Sequence, residues 1–175
     1  MMDPRLIIFI HGLDSSSQST KAVLLRSLFP GMLTPDFTGL LAERMARLDA
    51  ILGDRAGWTI IGSSLGGLMA ALFTCQHPRQ VRKLVLLAPA LSLPEFSDHL
   101  PAPVDIPTIV IHGTRDDVVP LKPVRAIAEK VFPKLTYHIV DDDHRLHKTA
   151  AELDWNSIFA LPKNDQSGQN KTNPQ

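Results

Sequence analysis

Short runs of aliphatic and β-branched residues alternate along this chain with longer stretches whose apolar residues recur every three or four positions. The runs Leu6 to Ile10, Trp58 to Ile61, Leu84 to Leu87, Thr108 to Ile111 and Leu135 to Val140 read as strands. Most are apolar at nearly every position, as strands of a parallel sheet covered on both faces must be. A weaker strand is expected at Met32 to Pro35, between two helical stretches. The helical period predicts helices over Thr20 to Phe29, Leu40 to Leu52, Leu65 to Gln76, Pro123 to Val131 and Lys148 to Phe159. Gly53, Gly57 and Pro78 punctuate their ends. Such alternation builds βαβ units, so the expected class is α/β: a three-layer α/β/α sandwich around a mainly parallel sheet of about six strands.

Composition narrows the picture. The chain has 175 residues, 44% of them hydrophobic, enough for one domain with a sizeable core. That domain is expected over residues 1–161, because residues 162–175 are rich in Asn, Gln, Lys and Ser and lack the apolar surface to offset the entropy of ordering. A disordered tail is expected there. Eighteen basic and eighteen acidic side chains balance, with no stripe of Lys and Arg, so no nucleic-acid partner and no anionic membrane surface is expected. Cys75 is the only cysteine, which excludes an internal disulfide and favours a reducing compartment. The run Leu6 to Ile10 is too short for a signal peptide core or a membrane span. A soluble, cytoplasmic protein is expected, and no oligomeric interface is legible.

Candidate chemistry begins at Gly62-Ser63-Ser64-Leu65-Gly66-Gly67, which follows an apolar strand and opens a helical pattern, the context that a G-x-S-x-G turn needs. Such a turn strains its central residue and needs glycines on either side so that backbones can approach. It would present the Ser64 hydroxyl at a helix N-terminus, where free N–H groups favour developing negative charge. A serine hydroxyl is a weak nucleophile and requires a histidine base oriented by a carboxylate. Two later segments supply these groups. Thr108 to Ile111 runs into His112-Gly113-Thr114-Arg115-Asp116-Asp117, and Leu135 to Val140 runs into Asp141-Asp142-Asp143-His144. In a parallel sheet every strand C-terminus lies on one edge, so Ser64, Asp116 and His144 can converge there.

The segments GSSLGG, HGTRDDVVP and DDDHRL, in the order Ser, Asp, His, resemble the three catalytic segments of the α/β-hydrolase superfamily over nearly the whole ordered chain. The resemblance implies a nucleophile at Ser64, an acid at Asp116 with Asp117 as the substitute, and a base at His144 rather than His147. It also implies that His11-Gly12-Leu13-Asp14-Ser15-Ser16 is the oxyanion loop, with the backbone N–H groups of Leu13 and Leu65 stabilising a tetrahedral intermediate. The chain starts on the oxyanion-loop strand and offers only a Pro-broken segment, Leu91 to Ile106, where larger relatives insert a cap. A minimal fold without a full cap is therefore expected, similar to small bacterial esterases and thioesterases acting on short-chain acyl groups.

Other readings stay open at this level. Asp116 and Asp117 could serve only as turn residues. His144 and His147, with the three aspartates before them, could bind a metal. His11 and His112 read as structural residues. Leu91, Leu93, Phe96 and Leu100 could form an acyl wall, with Leu91 and Phe96 taken as substrate-binding residues, or could only anchor a surface loop. The expected activity is hydrolysis of a small-molecule ester or thioester with no cofactor and no metal. A non-catalytic binding protein on the same fold, or an acyltransferase, are the alternatives.

Overall fold

The computed structural model of the chain describes residues 3–161, so the expected polar tail at 162–175 lies outside the described residues. Five parallel strands form one sheet in the order β1 to β5: Ile7–Ile10, Trp58–Ser63, Val81–Leu87, Thr108–Gly113 and Leu135–Val140. Along each inner strand successive side chains point to opposite faces. Ile8, Ile10 and Ile60 enter one apolar cluster, and Ile7, Phe9 and Ile61 enter another. Both clusters are shielded from water, which is why these strands carry almost no polar residue.

The helices that shield them are α1 (Thr20–Leu28), α2 (Leu41–Leu52), α3 (Leu65–Gln76), α4 (Pro94–Ser97), α5 (Leu121–Val131), α6 (His147–Glu152) and α7 (Trp155–Phe159). Leu48 and Leu52 of α2, Leu68 and Phe73 of α3 and Val124 of α5 pack on the first cluster. Ala22 and Leu25 of α1, Ala150 of α6 and Trp155 and Ile158 of α7 pack on the second. The result is the expected three-layer sandwich.

The sixth expected strand is reduced to one parallel bridge between Leu33 and Ile8. Leu33 N–H donates to Ile7 O at 2.8 Å, and Phe9 N–H donates to Leu33 O at 2.9 Å. The chain therefore leaves β1 towards one side, touches its outer edge at Leu33, and returns through α2 to place β2 on its other side. This reversal makes the gap between β1 and β2 a topological switch point, where the loops after both strands part and leave a crevice at their C-terminal ends. The expected helix over Lys148 to Phe159 is broken in two, because the Asp154 carboxylate accepts the Asn156 and Ser157 N–H groups and starts α7 afresh. Between β3 and β4 only the four-residue α4 is helical, so no cap covers the C-terminal edge among the described residues.

The crevice depends on one close approach. A Cβ at Gly66 would lie 2.1 Å from Ile10 O and 2.6 Å from His11 O, both backbone atoms that cannot swing aside. Gly66→Ala should push α3 off β1 and cost about 3 kcal/mol or more. A denaturant midpoint lowered at unchanged slope would report this, and a loss under about 1 kcal/mol would mean the contact is not tight.

Candidate active site

Ser64 occupies the turn from β2 into α3 with φ 55° and ψ −117°. A non-glycine residue held there stores roughly 1–3 kcal/mol of strain and persists only if its surroundings over-determine it. They do. Ser64 N–H donates to Leu87 O at 3.0 Å, and Ser64 O accepts the N–H groups of Gly67, Leu68 and Ala90 at 2.9, 3.2 and 3.0 Å.

His144 follows β5 and reaches across to the turn. Its Nε2 lies 3.0 Å from Ser64 Oγ, and its Nδ1 lies 2.8 Å from Asp116 Oδ2. With Asp116 ionised, Nδ1 carries the hydrogen and Nε2 is left to accept from the serine hydroxyl. Asp116 follows β4, and its carboxylate is fully buried. Its Oδ1 accepts the Val118 and Val119 N–H groups at 2.9 and 2.8 Å. Burial pushes this carboxyl up, but the hydrogen bonds from Val119, His144 and Val118 outweigh it and hold the group below the ordinary carboxylate range. The neighbouring Asp117 is exposed, and among the described residues its carboxylate has no such partners.

His112 lies under this carboxylate and is fully buried. Its Nε2 lies 3.0 Å from Val119 O and 3.1 Å from Asp116 Oδ2, and its Nδ1 lies 2.9 Å from the Tyr137 hydroxyl. Burial pulls the imidazole below its usual value, so it stays neutral, with Nε2–H donating and Nδ1 accepting from Tyr137. His112 is expected to be a structural residue, and in the fold it braces the Asp116 carboxylate. Its position one residue before Gly113 at a strand end was a usable signal, whereas nothing nearby pointed to Tyr137.

The loop after β1 completes the site. A Cβ on Gly12 would meet Ser64 Cβ at 3.3 Å, so this loop runs directly against the turn. His11 is buried and holds the loop by donating Nδ1–H to Gly12 O at 2.7 Å while Nε2 accepts the Phe37 N–H at 2.9 Å. Arg44 of α2, also buried, donates to Gly39 O at 3.0 Å and Leu13 O at 3.3 Å. Among the described residues the N–H groups of Leu13 and Leu65 meet no protein acceptor, and both residues line the same cavity as Ser64 and His144.

That cavity is about 690 Å³, within the usual range for small-molecule sites. Ala90, Leu93, Val118 and Val119 are among its apolar lining, and Lys21, Arg145 and His147 among its basic lining. Leu91 and Phe96 do not line it: they are 0% and 1% exposed and pack into the core cluster beneath α4. An apolar pattern broken by prolines does not say which residues turn inward. Of that segment's expected wall, Leu93 alone faces the cavity. Cys75 packs against the same core, and burial pushes its thiol up to about 12. The aspartates before His144 are engaged elsewhere: Asp141 with Arg115, Asp142 with Thr149, and Asp143 with the Arg145 N–H. Among the described residues no three His, Cys, Asp or Glu side chains converge as a metal ligand set, and no helix is long and apolar enough to cross a membrane.

The model of the uncharacterised protein family UPF0227 matches residues 6–108, more than half of the chain, including the loop after β1 and Ser64 but not Asp116 or His144. No curated protein matches the chain. Solved structures of similar architecture include alpha/beta hydrolase domain-containing protein 10 from mouse, with a TM-score of 0.70 and 22% identity over 87% of each chain. A protein of the alpha/beta hydrolase superfamily from Xanthomonas campestris pv. campestris gives a TM-score of 0.65 and 28% identity over 83% of this chain and 92% of its own. A monoacylglycerol lipase from Paleococcus ferrophilus gives 0.60 and 15% over 83% and 92%. The architecture is the α/β-hydrolase fold in a minimal, cap-less form.

Proposed function

The chain belongs to the uncharacterised protein family UPF0227, and from the groups around Ser64 we propose that it is a serine hydrolase of carboxylic esters or thioesters of small acyl groups. The observation that carries this reading is one unbroken hydrogen-bond chain, Ser64 Oγ to His144 Nε2 at 3.0 Å and His144 Nδ1 to Asp116 Oδ2 at 2.8 Å, opening onto a single cavity. The likeness of the fold to a monoacylglycerol lipase supports the same class of bond.

In this reading Ser64 Oγ attacks the acyl carbon as His144 Nε2 takes its proton, and Asp116 holds the ring and stabilises the imidazolium. The N–H groups of Leu13 and Leu65 donate to the oxyanion; losing one donor of this kind costs about 100- to 1,000-fold in rate. As the intermediate collapses, the bond from acyl carbon to oxygen or sulfur breaks, and His144 returns its proton to the departing alcohol or thiol. Water, deprotonated by the same ring, then releases the acid from Ser64. Leu93 and Val118, 39% and 64% exposed on the cavity's apolar side, would receive the acyl chain.

The test is labelling with a fluorophosphonate followed by peptide mapping, run beside p-nitrophenyl acetate, butyrate and octanoate in EDTA. The expected result is one adduct on the peptide containing Ser64 and turnover that labelling abolishes. An unlabelled protein without ester turnover would favour a binding protein on this fold, and turnover surviving full labelling would remove Ser64 from the reaction.

A further inference from the structure

We propose that the site selects esters or thioesters whose leaving group carries an anion, a carboxylate or a phosphate, held between Lys21, Arg145 and His147. The inference rests on the hydrolase reading and adds a substrate class to it.

The two sides of the cavity belong to the two faces of the sheet. Ala90 and Val119 are members of the cluster under α3 and α5. Lys21 stands in the first turn of α1, and His147 opens α6, on the other face. Ser64 lies on the sheet edge between them. The leaving atom must come within hydrogen-bond reach of His144 Nε2 to receive its proton. Arg145 follows His144 directly and His147 opens the helix after it, so a group leaving beside His144 would depart towards them and the acyl group would take the apolar side.

Lys21 Nζ donates to Arg145 O at 2.5 Å, which brings α1 and this loop together across 124 positions of sequence. An ammonium has three donors, and among the described residues this carbonyl is its one acceptor. The remaining N–H bonds belong to a side chain that lines the cavity. The Arg145 and His147 side chains also line it and have no hydrogen-bond partner among the described residues.

The charges oppose one another. Burial pulls the Lys21 ammonium down to about 8, with Arg145 adding to the depression and Asp143 and Asp142 resisting it. Burial, Lys21 and Arg145 together pull His147 below its usual value, again against Asp143 and Asp142. Asp142 is occupied by Thr149, and Asp14 is the acid on the cavity wall itself. Lys21 therefore stays mainly cationic at neutral pH beside the Arg145 guanidinium, with His147 a neutral donor. An anion among the three would offset the repulsion between Lys21 and Arg145, and a neutral group would not.

The experiment compares three butyrate esters of phenol that differ only in the para group: carboxylate, its neutral carboxamide, and phosphonate. The carboxamide is the intrinsically better leaving group of the first pair, so reactivity alone runs against the expected order. The wild-type protein should show kcat/KM about tenfold higher for the carboxylate ester. A further gain with the phosphonate would identify a phosphate-type group as the natural anion, and no gain a carboxylate. The preference should fall towards one in Lys21→Met combined with Arg145→Gln, and in about 0.5 M KCl, where a merely structural lysine would leave the ratio unchanged.

A ratio at or below one in the wild type, or one unmoved by the double variant, overturns the proposal. Titrating the Ser64→Ala protein with the same esters separates the two readings. Tighter binding of the carboxylate without any wild-type turnover would sink the hydrolase and keep the anion site, and equal affinities would sink the anion site alone.

Discussion

Replacing Ser64 by alanine should lower kcat by about 10⁴- to 10⁶-fold and leave a folded protein. The span follows from how members of such a hydrogen-bonded triad act as a unit: removing the nucleophile costs about as much as removing the whole set, and what survives is the help of the oxyanion donors and of binding. Alanine retains the Cβ, so the strain at φ 55° remains, and the melting temperature should barely move. Ser64→Gly gives the sharper result, because glycine enters this region freely. It should be as inactive as the alanine variant yet more stable by about 1 kcal/mol. Ester turnover and thermal unfolding on both variants check the two halves independently. Activity within tenfold of wild type would mean that another nucleophile operates, and a glycine variant no more stable than the alanine one would mean that the turn is unstrained.

Asp116→Asn should lower kcat by about 10⁴-fold, and the reason lies in which oxygen is already committed. The Val118 and Val119 N–H groups require an acceptor at Oδ1. The asparagine amide nitrogen is therefore forced to the Oδ2 position, where it faces His144 Nδ1. His144 must then accept at Nδ1 and carry its hydrogen on Nε2, the tautomer that cannot take the Ser64 proton. The same NH₂ also meets the His112 Nε2–H, a donor against a donor at 3.1 Å, so some stability is lost as well.

The pH dependence has a definite sign. Asp116 is held below the ordinary carboxylate value of 3.8, so the stabilisation it contributes is present above that pH and is lost as pH falls through its folded value. Wild-type stability should therefore fall more steeply than the variant's below about pH 4. A variant retaining a tenth or more of the wild-type kcat would show that Asp116 does not select the tautomer.

Much of this architecture is legible in the amino-acid sequence, and the reasons are physical. Strands such as Ile7–Ile10 are buried on both faces, so their composition announces them. The glycines around Ser64 are demanded by backbone contacts as short as that of Gly66 with Ile10 O, so they too stand in the sequence. What stayed hidden depends on direction or on distance along the chain. Leu91 and Phe96 have the apolar character of a pocket wall, but only the fold decides that they point into the core while Leu93 points out. The approach of Lys21 to Arg145, and of Arg44 to Leu13, joins segments far apart in sequence and leaves no local pattern. The break at Asp154 was visible in principle, since an aspartate ahead of a helical turn is a start signal, but the apolar period on either side concealed it.

The order of the strands separates two halves of the chemistry. Ser64 and the loop beside it hang from β2 and β1, on either side of the reversal in the chain path, whereas His144 hangs from β5, whose residues are half-exposed along its outer edge. In the proposed reading, charge stabilisation is thus built at one end of the sheet, on β1 and its neighbour β2, and proton transfer at the opposite margin, on β5. A lineage that frayed or remodelled only that margin would keep a folded protein with an intact oxyanion cradle and a binding cavity, but no base. On this scaffold, the proposed enzyme and a silent receptor for the same ligand would be separated by changes at one edge strand.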